Sequence, residues 1–492
     1  MLIDPIATHA RAKPTSVAVV DLETNRYFNW ATLDAACNRA AHWLIGQLGP
    51  ASGARVATLA RNSVDLLILQ IACVRAGAIF VPFNWRLASA EIAALIADSS
   101  PTVLFHDREF TPPPGAPTVC LLTDLDRLTA GQPATVLARE ARRDWELPST
   151  LLYTSGTSGK PKGVMLSEAN AFWGATNYLH GSRVSSDSIF LCDMPMFHVA
   201  GLFAAVRVPI LVGGTVLISR GFDPATTLAR IADRTLGITH YFSVPQMAQM
   251  MWNLPTFDPK MLHGLHVYAT GGAPNPAAQI ERFQRAGIAM LDGFGMTETC
   301  SNFTMPPGDP DRTIAKAGSI GFPFLSLEAR IVDDEGVDVA SGITGELWVR
   351  GPSVTKGYWN QPKKTAEAFH GDWFKTGDAA MQDADGYYFL VDRKKDMYIS
   401  GGENIYPAEV EAAIAELDIV AECAVIGIAD DKWGQVGQAH IIAVTGAAIT
   451  EAMIIDHCKT RLAGFKVPRS VILTTHIPRT ASGKVQKHLM QR

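Results

Sequence analysis

Apolar positions along the chain fall into short runs punctuated by turn residues. Arg55 to Leu59 reads as a strand. Asn62 or Ser63 offers a cap for a helix from Val64 to Ala76, and Gly77 ends it. Val64, Leu66, Leu67, Ile68, Leu69 and Ile71 make that helix apolar nearly all round, so it should be buried. Ile79 to Pro82 follows as a buried strand and completes a βαβ unit. The theme returns. Ile189 to Cys192 and Thr215 to Ile218 read as strands either side of the apolar segment 199–212. Ile238 to Phe242 and Leu265 to Thr270 come next, each a strand before a loop. Alternating βα units predict mostly parallel sheets covered on both faces.

The pattern changes after about residue 315. Glu328 to Val332 and Glu346 to Arg350 are short strands separated by Asp333-Asp334-Glu335-Gly336 and Ser341-Gly342, which suits a small antiparallel or barrel-like subdomain. It changes again at Asp392-Arg393-Lys394-Lys395-Asp396, a charged run with the character of a linker. Beyond it, Pro407 starts a helix with Val410, Ile414 and Leu417 on one face. Cys423 to Ile428 and His440 to Val444 then read as strands, giving a small α+β domain.

Composition narrows the class. A chain of 492 residues exceeds one typical hydrophobic core and predicts two to four domains. It is 47% hydrophobic and 18% charged, hence globular, and its net charge of −5 disfavours nucleic acid as a partner. The seven cysteines are scattered without a C-x-x-C pair, which indicates neither zinc nor a disulfide framework and suits a reducing, cytoplasmic setting. Met1 to Pro14 lacks the apolar core of a secretory signal. Arg207 and Pro209 interrupt the most apolar stretch, Leu202 to Val212, which is too short to span a bilayer.

The candidate chemistry centres on Tyr153-Thr154-Ser155-Gly156-Thr157-Ser158-Gly159-Lys160-Pro161-Lys162-Gly163-Val164. Six hydroxyl or glycine positions precede two lysines, so backbone N–H groups, hydroxyls and cationic tips can converge on one anion. The apolar lead-in from Ser149 reads as a strand. A P-loop needs glycine where Thr154 stands and Ser or Thr where Pro161 stands, so this is a phosphate-gripping loop of another kind. A flexible Ser/Gly/Thr linker is the bland alternative.

Five further segments stand out. In Asp292-Gly293-Phe294-Gly295-Met296-Thr297-Glu298, two glycines let backbone approach a flat ligand on which Phe294 stacks. Glu298 can hold a magnesium ion that also touches phosphate. Thr376-Gly377-Asp378 places a carboxylate on a tight turn, able to accept two hydrogen bonds from a ribose diol. Gly401-Gly402, beside the charged run, suits either a solvated loop or a hinge. Pro478 to Lys484 puts a lysine on a glycine-containing loop, with a frayed basic tail as the alternative. Met194-Pro195-Met196-Phe197-His198-Val199-Ala200-Gly201 sets an aromatic–His pair after a strand, where a lone histidine is more often a core residue than a base.

Taken together and in this order, with Gly271-Gly272-Ala273-Pro274 between them, these motifs resemble the adenylate-forming superfamily of acyl-CoA synthetases, luciferases and peptide-synthetase adenylation domains. Within it, the Phe197-His198 and Gly401 to Glu411 stretches are most similar to fatty-acyl- and aryl-CoA ligases. The resemblance implies a large N-terminal domain, 1–394, of two doubly wound βα subdomains plus a β-barrel-like one, hinged at Lys395 to a mobile α+β domain, 395–492. It implies that a carboxylate attacks the α-phosphate of ATP, giving acyl-AMP and pyrophosphate, and that coenzyme A then displaces AMP.

Carried over residue by residue, Thr154 to Lys162 grips the β- and γ-phosphates, and Glu298 with Thr154 holds Mg²⁺. Gly272, Ala273 and Pro274 line the adenine pocket, where Phe294 stacks; Asp292, Gly293 and Thr297 belong to the same nucleotide site. Asp378 and Arg393 take the ribose hydroxyls. Lys484 bridges the α-phosphate and the substrate carboxylate. Rotation about Lys395 withdraws Lys484 and brings Gly401-Gly402 to a thiol channel that His198 closes, with Trp433 near coenzyme A. Two positions depart from the family pattern, Asp392 for Gly and Phe294 for Tyr.

The acyl pocket is expected from Phe197, His198, Tyr241, Phe242, Met247, Gly295 and Met296, with Ala200, Gly201 and Gly271 leaving depth. Its acid is apolar, a medium- or long-chain fatty acid ahead of an aryl or hydroxycinnamic acid. An amino acid would need an anionic partner near 240–246, where only His240 and Gln246 are candidates. A carrier-protein-loading acyl-AMP ligase and a non-catalytic nucleotide-binding protein are the competing readings, with the oligomeric state open to a homodimer.

Overall fold

The structure is a computed structural model that describes residues 4–137, 144–154, 161–393, 396–400, 403–430, 433–462, 464–479 and 485–490. Three sheets organise it. The first has six strands, in spatial order Thr118–Leu121, Val103–His106, Arg55–Leu59, Ile79–Pro82, Pro148–Thr154 and Lys162–Ser167. Its first five run parallel, and the last closes an antiparallel hairpin.

The second sheet has a parallel centre: Val17–Asp21, Thr215–Ile218, Ile189–Cys192, His240–Ser243, Val267–Thr270 and Met290–Met296. The β-rich region continues this sheet through antiparallel Cys300–Thr304, Ser319–Pro323, Tyr388–Arg393, Trp373–Gln382, Gly345–Arg350 and Glu328–Val332. Antiparallel pairing thus starts near residue 300, ahead of the expected 315. The cause is Met290–Met296, which is longer than its parallel partner. Its first half pairs with Val267–Thr270, and Gly293 to Met296 turns to pair with Cys300–Thr304. A Cβ on Gly293 would lie 2.7 Å from the Phe303 carbonyl oxygen, so only glycine permits this approach.

The helix Val64–Ala76 forms as its pattern predicts. Ser63 caps it at 3.3 Å, and Gly77 ends it at φ +69°. Nearly every residue is buried because both sheets cover it. One core joins Val56, Phe80 and Leu152 of the first sheet to Val19, Cys192 and Val216 of the second, with this helix and Trp30–Leu48 between. Arg75, 1% exposed, is matched there by Asp4 at 3.0 Å and Asp34 at 2.6 Å.

The apolar segment 199–212 is a π-helix, Ala200–Arg207, running into the α-helix Val208–Val212. Pro209 explains the wide turn. It has no N–H, and its ring would strike the carbonyl four residues back in a regular α-helix.

The third sheet lies at the C-terminus and contains Glu403–Ile405, Tyr398–Ser400, Gly434–Ala443, Val420–Asp430 and Ser470–Leu473. Helices Pro407–Ile414 and Glu451–Arg461 pack on it around Val410, Ile414, Ile454 and Cys458. Tyr398 fills a slot between Gly427 and Gly437, where a Cβ would come within 2.3 and 2.4 Å of it.

Candidate functional site

The expected phosphate loop spans a hairpin whose last described pair is Thr154 opposite Lys162; Ser155, Gly156, Thr157, Ser158, Gly159 and Lys160 lie outside the described residues. Both hairpin strands are clamped. The Tyr153 hydroxyl donates to Asp98 at 2.6 Å, and burial together with that carboxylate pushes its pKa up. Trp359 Nε1 donates to the Asp98 carbonyl at 3.3 Å. A Cβ on Gly163 would lie 3.2 Å from the Tyr153 ring and 3.3 Å from Trp359 Cβ.

From this hairpin the structure leads directly to Glu298. The Lys162 ammonium sits 4.8 Å from the centroid of the Tyr358 ring, a cation–π distance. The Tyr358 hydroxyl donates to Glu298 Oε1 at 3.0 Å. Thr355 N–H donates to the Glu298 carbonyl at 2.6 Å, fixing the backbone as well. Glu298 is 7% exposed and Tyr358 5%. Sequence reasoning missed Tyr358; its only sign was an aromatic pair after glycine in Gly357-Tyr358-Trp359.

Gly271 to Pro274 and Asp292 to Phe294 follow or end neighbouring parallel strands, on the side where ligands bind in open α/β sheets. Gly272 takes φ +82° and is exposed with Pro274, while Ala273 is half-buried. Asp292 is buried beneath them. Thr270 donates to Asp292 Oδ1 at 2.8 Å, Asn275 Nδ2 to Thr270 Oγ1 at 3.0 Å and Gln279 Nε2 to Asn275 Oδ1 at 3.0 Å. Burial pushes the Asp292 carboxyl up to about 7, against the pull of the Thr270 bond. Phe294 is half-buried, its ring centroid 5.9 Å from that of Phe303; Gly295, Met296 and Thr297 beside it are also half-buried.

Thr376-Gly377-Asp378 is not the tight turn expected. It lies inside the strand Trp373–Gln382, with Gly377 at φ +72°, and Asp378 stands opposite Arg393 in the ladder. Lys395, Gly401, Gly402 and Lys484 lie outside the described residues, as does the Arg393 side chain. Trp433 is 39% exposed, between Val420–Asp430 and Gly434–Ala443.

The segment from Met194 to Gly201 is held more tightly than its sequence suggests. Ser63, not Asn62, caps the helix, and Asn62 instead grips this segment. Its Nδ2 donates to the Met194 carbonyl at 2.8 Å, and its Oδ1 accepts from Met196 N–H at 2.8 Å. Phe197 is buried, its ring 6.3 Å from Trp85 and 4.4 Å from His198, itself half-buried.

Three pocket expectations change. A Cβ on Gly201 would lie 2.3 Å from the Pro195 carbonyl oxygen, so backbone, not open depth, occupies that space. Gly271 is similarly crowded, its Cβ position 3.0 Å from the Gly293 carbonyl oxygen. Tyr241 is 1% exposed and donates to Asp193 Oδ1 at 3.1 Å, in a core shared with Met247 and Tyr268. Alternation along the strand puts Tyr241 there and Phe242 on the opposite face, where Tyr178 meets it at 6.5 Å. His240 is bonded to the Ser182 carbonyl at 3.0 Å, and burial depresses its pKa to about 4.

The donor set suits magnesium. This ion takes oxygen ligands and binds through one or two carboxylates plus substrate phosphates. Glu298 supplies a buried carboxylate with one oxygen already fixed by Tyr358. Among the described residues no cluster of three or more His, Cys, Asp or Glu forms a self-sufficient metal cage.

A clamped hydroxyl-rich hairpin, a buried acidic residue and glycine-lined ends of parallel strands define a nucleotide-binding α/β protein. The chain belongs to the AMP-binding enzyme family, whose model matches residues 6–359 and whose C-terminal domain model matches residues 409–484. It is 38% identical over 491 residues to a feruloyl-CoA synthase of an Amycolatopsis species, covering 98% of this chain and 97% of the relative. It is 34% identical over 501 residues to the long-chain-fatty-acid–CoA ligase FadD13 of Mycobacterium tuberculosis, covering 98% and 96%. Among solved structures, the o-succinylbenzoate CoA synthetase of Bacillus subtilis, in complex with its acyl-adenylate intermediate, superposes with a TM-score of 0.90 at 29% identity. That match covers 100% of this chain and 98% of the other.

Proposed function

We propose that the protein is an AMP-forming acid–thiol ligase that makes an acyl-AMP from ATP and an apolar carboxylic acid, then transfers the acyl group to coenzyme A. The observation that carries this reading is the Lys162–Tyr358–Glu298 contact, which couples the phosphate hairpin to the one acidic residue of the GFGMTE motif. Activation by ATP suits the chemistry, because a carboxylate has no good leaving group until AMP supplies one. The first step brings two anions together, so fixed positive charge and oriented donors must be in place.

In this reading the hairpin from Thr154 to Lys162 holds the terminal phosphates, and Glu298 with Thr154 holds the magnesium ion that neutralises them. Gly272, Ala273, Pro274 and Phe294 frame the base, while Asp378 and Arg393, opposite each other in the ladder, take the ribose. Lys484 bridges the α-phosphate and the acid. The domain boundary falls between 394 and 395, and rotation there exchanges Lys484 for Gly401-Gly402, with His198 closing the thiol channel and Trp433 near coenzyme A. The protein acts in the cytoplasm. Light scattering of the purified chain decides between monomer and homodimer.

The acid is aromatic in this reading. Two observations favour it over a long aliphatic chain: the Pro195 carbonyl removes the depth expected at Gly201, and Phe242 is a half-buried aromatic backed by Tyr178 at 6.5 Å. His240, neutral and bonded to backbone, offers no partner for an amino acid's ammonium. The test supplies ATP, Mg²⁺ and coenzyme A with ferulic, cinnamic, benzoic, octanoic and palmitic acids, and follows pyrophosphate, AMP and acyl-CoA by mass. AMP and an aryl-CoA are expected. ADP as the spent nucleotide, or no pyrophosphate with any acid, would defeat the ligase reading. Acyl transfer to a carrier protein but not to coenzyme A would replace its second half.

A further inference from the structure

The Glu168–Arg207 ion pair lies at the end of the phosphate hairpin opposite its loop, where Pro148 pairs with Ser167. Arg207 Nη2 donates to Glu168 Oε2 at 2.6 Å, and both side chains are 8% exposed. Ser149 Oγ donates to Glu168 Oε1 at 2.9 Å from the hairpin strand Pro148–Thr154. Arg207 Nη1 reaches Gln70 Oε1 at 3.2 Å on the buried helix Val64–Ala76. Four elements therefore meet at one pair of charges.

The pair joins a helix start to the junction between two helix types. Glu168 is the first residue of the helix Glu168–Gly181, where the macrodipole favours an anion. Arg207 stands where the π-helix Ala200–Arg207 passes into the α-helix Val208–Val212. That π-helix has little means of fixing itself. Its i→i+5 geometry is rare, no side chain caps it, and Pro209 withholds an N–H from the following turn. Its entrance is set by Gly201 against the Pro195 carbonyl. Its exit is set by Arg207.

The two helices joined by the pair share a wall. Ala204 of the π-helix packs in one cluster with Ala175 and Tyr178 of the helix Glu168–Gly181, and Phe242 borders it. A shift of Arg207 along Glu168 would slide Ala204 past these residues and move His198 to Gly201 with it. The hairpin strand does not depend on the pair in this way, because a ladder with Lys162–Ser167 and a parallel pairing of Thr150 with Phe80 already hold it.

We propose that Glu168 and Arg207 are positioning residues for the acid substrate: they fix the register of the π-helix and so the shape of the acyl pocket. This rests on the acid–thiol ligase reading. The test compares wild type with Arg207→Lys, Arg207→Met and the double change Glu168→Leu with Arg207→Met, which removes both buried charges together. The wild type, assayed with its best acid, is the reference; a wild type inactive with every acid defeats the ligase reading and this inference together.

Arg207→Met is expected to raise the acid KM about tenfold or more, with the ATP KM within about twofold, and to change the ranking of acids. Arg207→Lys, which keeps the charge but not the two-way fork, should fall between. The double variant should stay folded by near-ultraviolet circular dichroism and show the same acid shift. Two outcomes overturn the proposal: folded Arg207→Met or double variants with wild-type acid KM and ranking, or acid and ATP KM values that rise together as Tm falls.

Discussion

Tyr358→Phe removes one oxygen and little else. The lost hydroxyl donates to Glu298 Oε1 at 3.0 Å, with both residues almost fully buried. A hydrogen bond to a charged group contributes about 1.5–3 kcal/mol, and little bulk water reaches this carboxylate to replace it. Two effects then compete. An unshared carboxylate is a stronger magnesium ligand, but an unheld one is free to rotate away from the position where phosphate oxygens complete the site. Orientation wins, since losing the partner of a metal-binding group commonly weakens affinity or activity by about 10–100-fold.

The ring remains, so the Lys162 contact at 4.8 Å should survive. The expected result is a Mg²⁺ titration of pyrophosphate release shifted to higher concentration by about tenfold or more. Thioesterification of supplied acyl-AMP should be unchanged, because it involves no pyrophosphate. Thermal unfolding without nucleotide controls for stability. An unaltered Mg²⁺ titration, or equal loss in both half-reactions, would refute the claim that Tyr358 holds Glu298 for the phosphate step.

Lys484→Ala should abolish acyl-AMP formation and spare thioesterification of supplied acyl-AMP; single-turnover assays of each half separate the two, and equal loss would disprove that division. Gly201→Ala must force a Cβ to within 2.3 Å of the Pro195 carbonyl oxygen, so urea titration should show a loss of about 1–3 kcal/mol, and an unchanged midpoint would mean the backbone yields freely. Asp292→Asn tests linkage. A carboxyl held near 7 when folded and near 3.8 when unfolded favours the protonated fold, so its stabilisation is full below about pH 4 and lost as pH rises through 7. The Asn variant should flatten that fall, worth on the order of a few kcal/mol, and identical pH–stability curves for the two proteins would count against it.

The strands and the buried helix of the N-terminal half were legible because their pattern is local. Ser63 and Gly77 end Val64–Ala76 by backbone rules that need no partner. What escaped was pairing at a distance. Nothing local to Asn62 says that it grips Met194 and Met196, 132 and 134 residues on. Tyr358 is likewise 60 residues from Glu298. Tyr241 was misplaced for a simpler reason. Two adjacent aromatics in a strand face opposite ways, and only the packing of Asp193 shows which one faces the core. The Thr376 to Asp378 segment read as a turn because glycine usually marks one, whereas here Gly377 takes a positive φ inside a strand.

The described residues on either side of the C-terminal lysine loop are held more firmly than a basic chain end usually is. A basic stretch near a chain end often frays. Here the residues flanking the loop are anchored. Arg479 bridges Val485 across the chain, and its side chain pairs with Glu422. Ile477 and Met490 pack with Ala424 and Ile426 of Val420–Asp430, and Lys487 meets Glu411 at 2.8 Å. Both flanks of the segment that carries Lys484 are thus fastened to the sheet whose far side holds Tyr398–Ser400 and the edge strand Glu403–Ile405. In the proposed reaction, a lysine carried between such anchors would reach the nucleotide together with its domain rather than as an uncoiling tail. Tyr398, wedged between Gly427 and Gly437, ties the first strand of the C-terminal sheet to its two long strands. Replacing Gly437 by alanine, which puts a Cβ 2.4 Å from the Tyr398 hydroxyl, should therefore loosen the lever and slow both half-reactions. Damage confined to the acyl-AMP step alone would show that Lys484 moves independently of its domain.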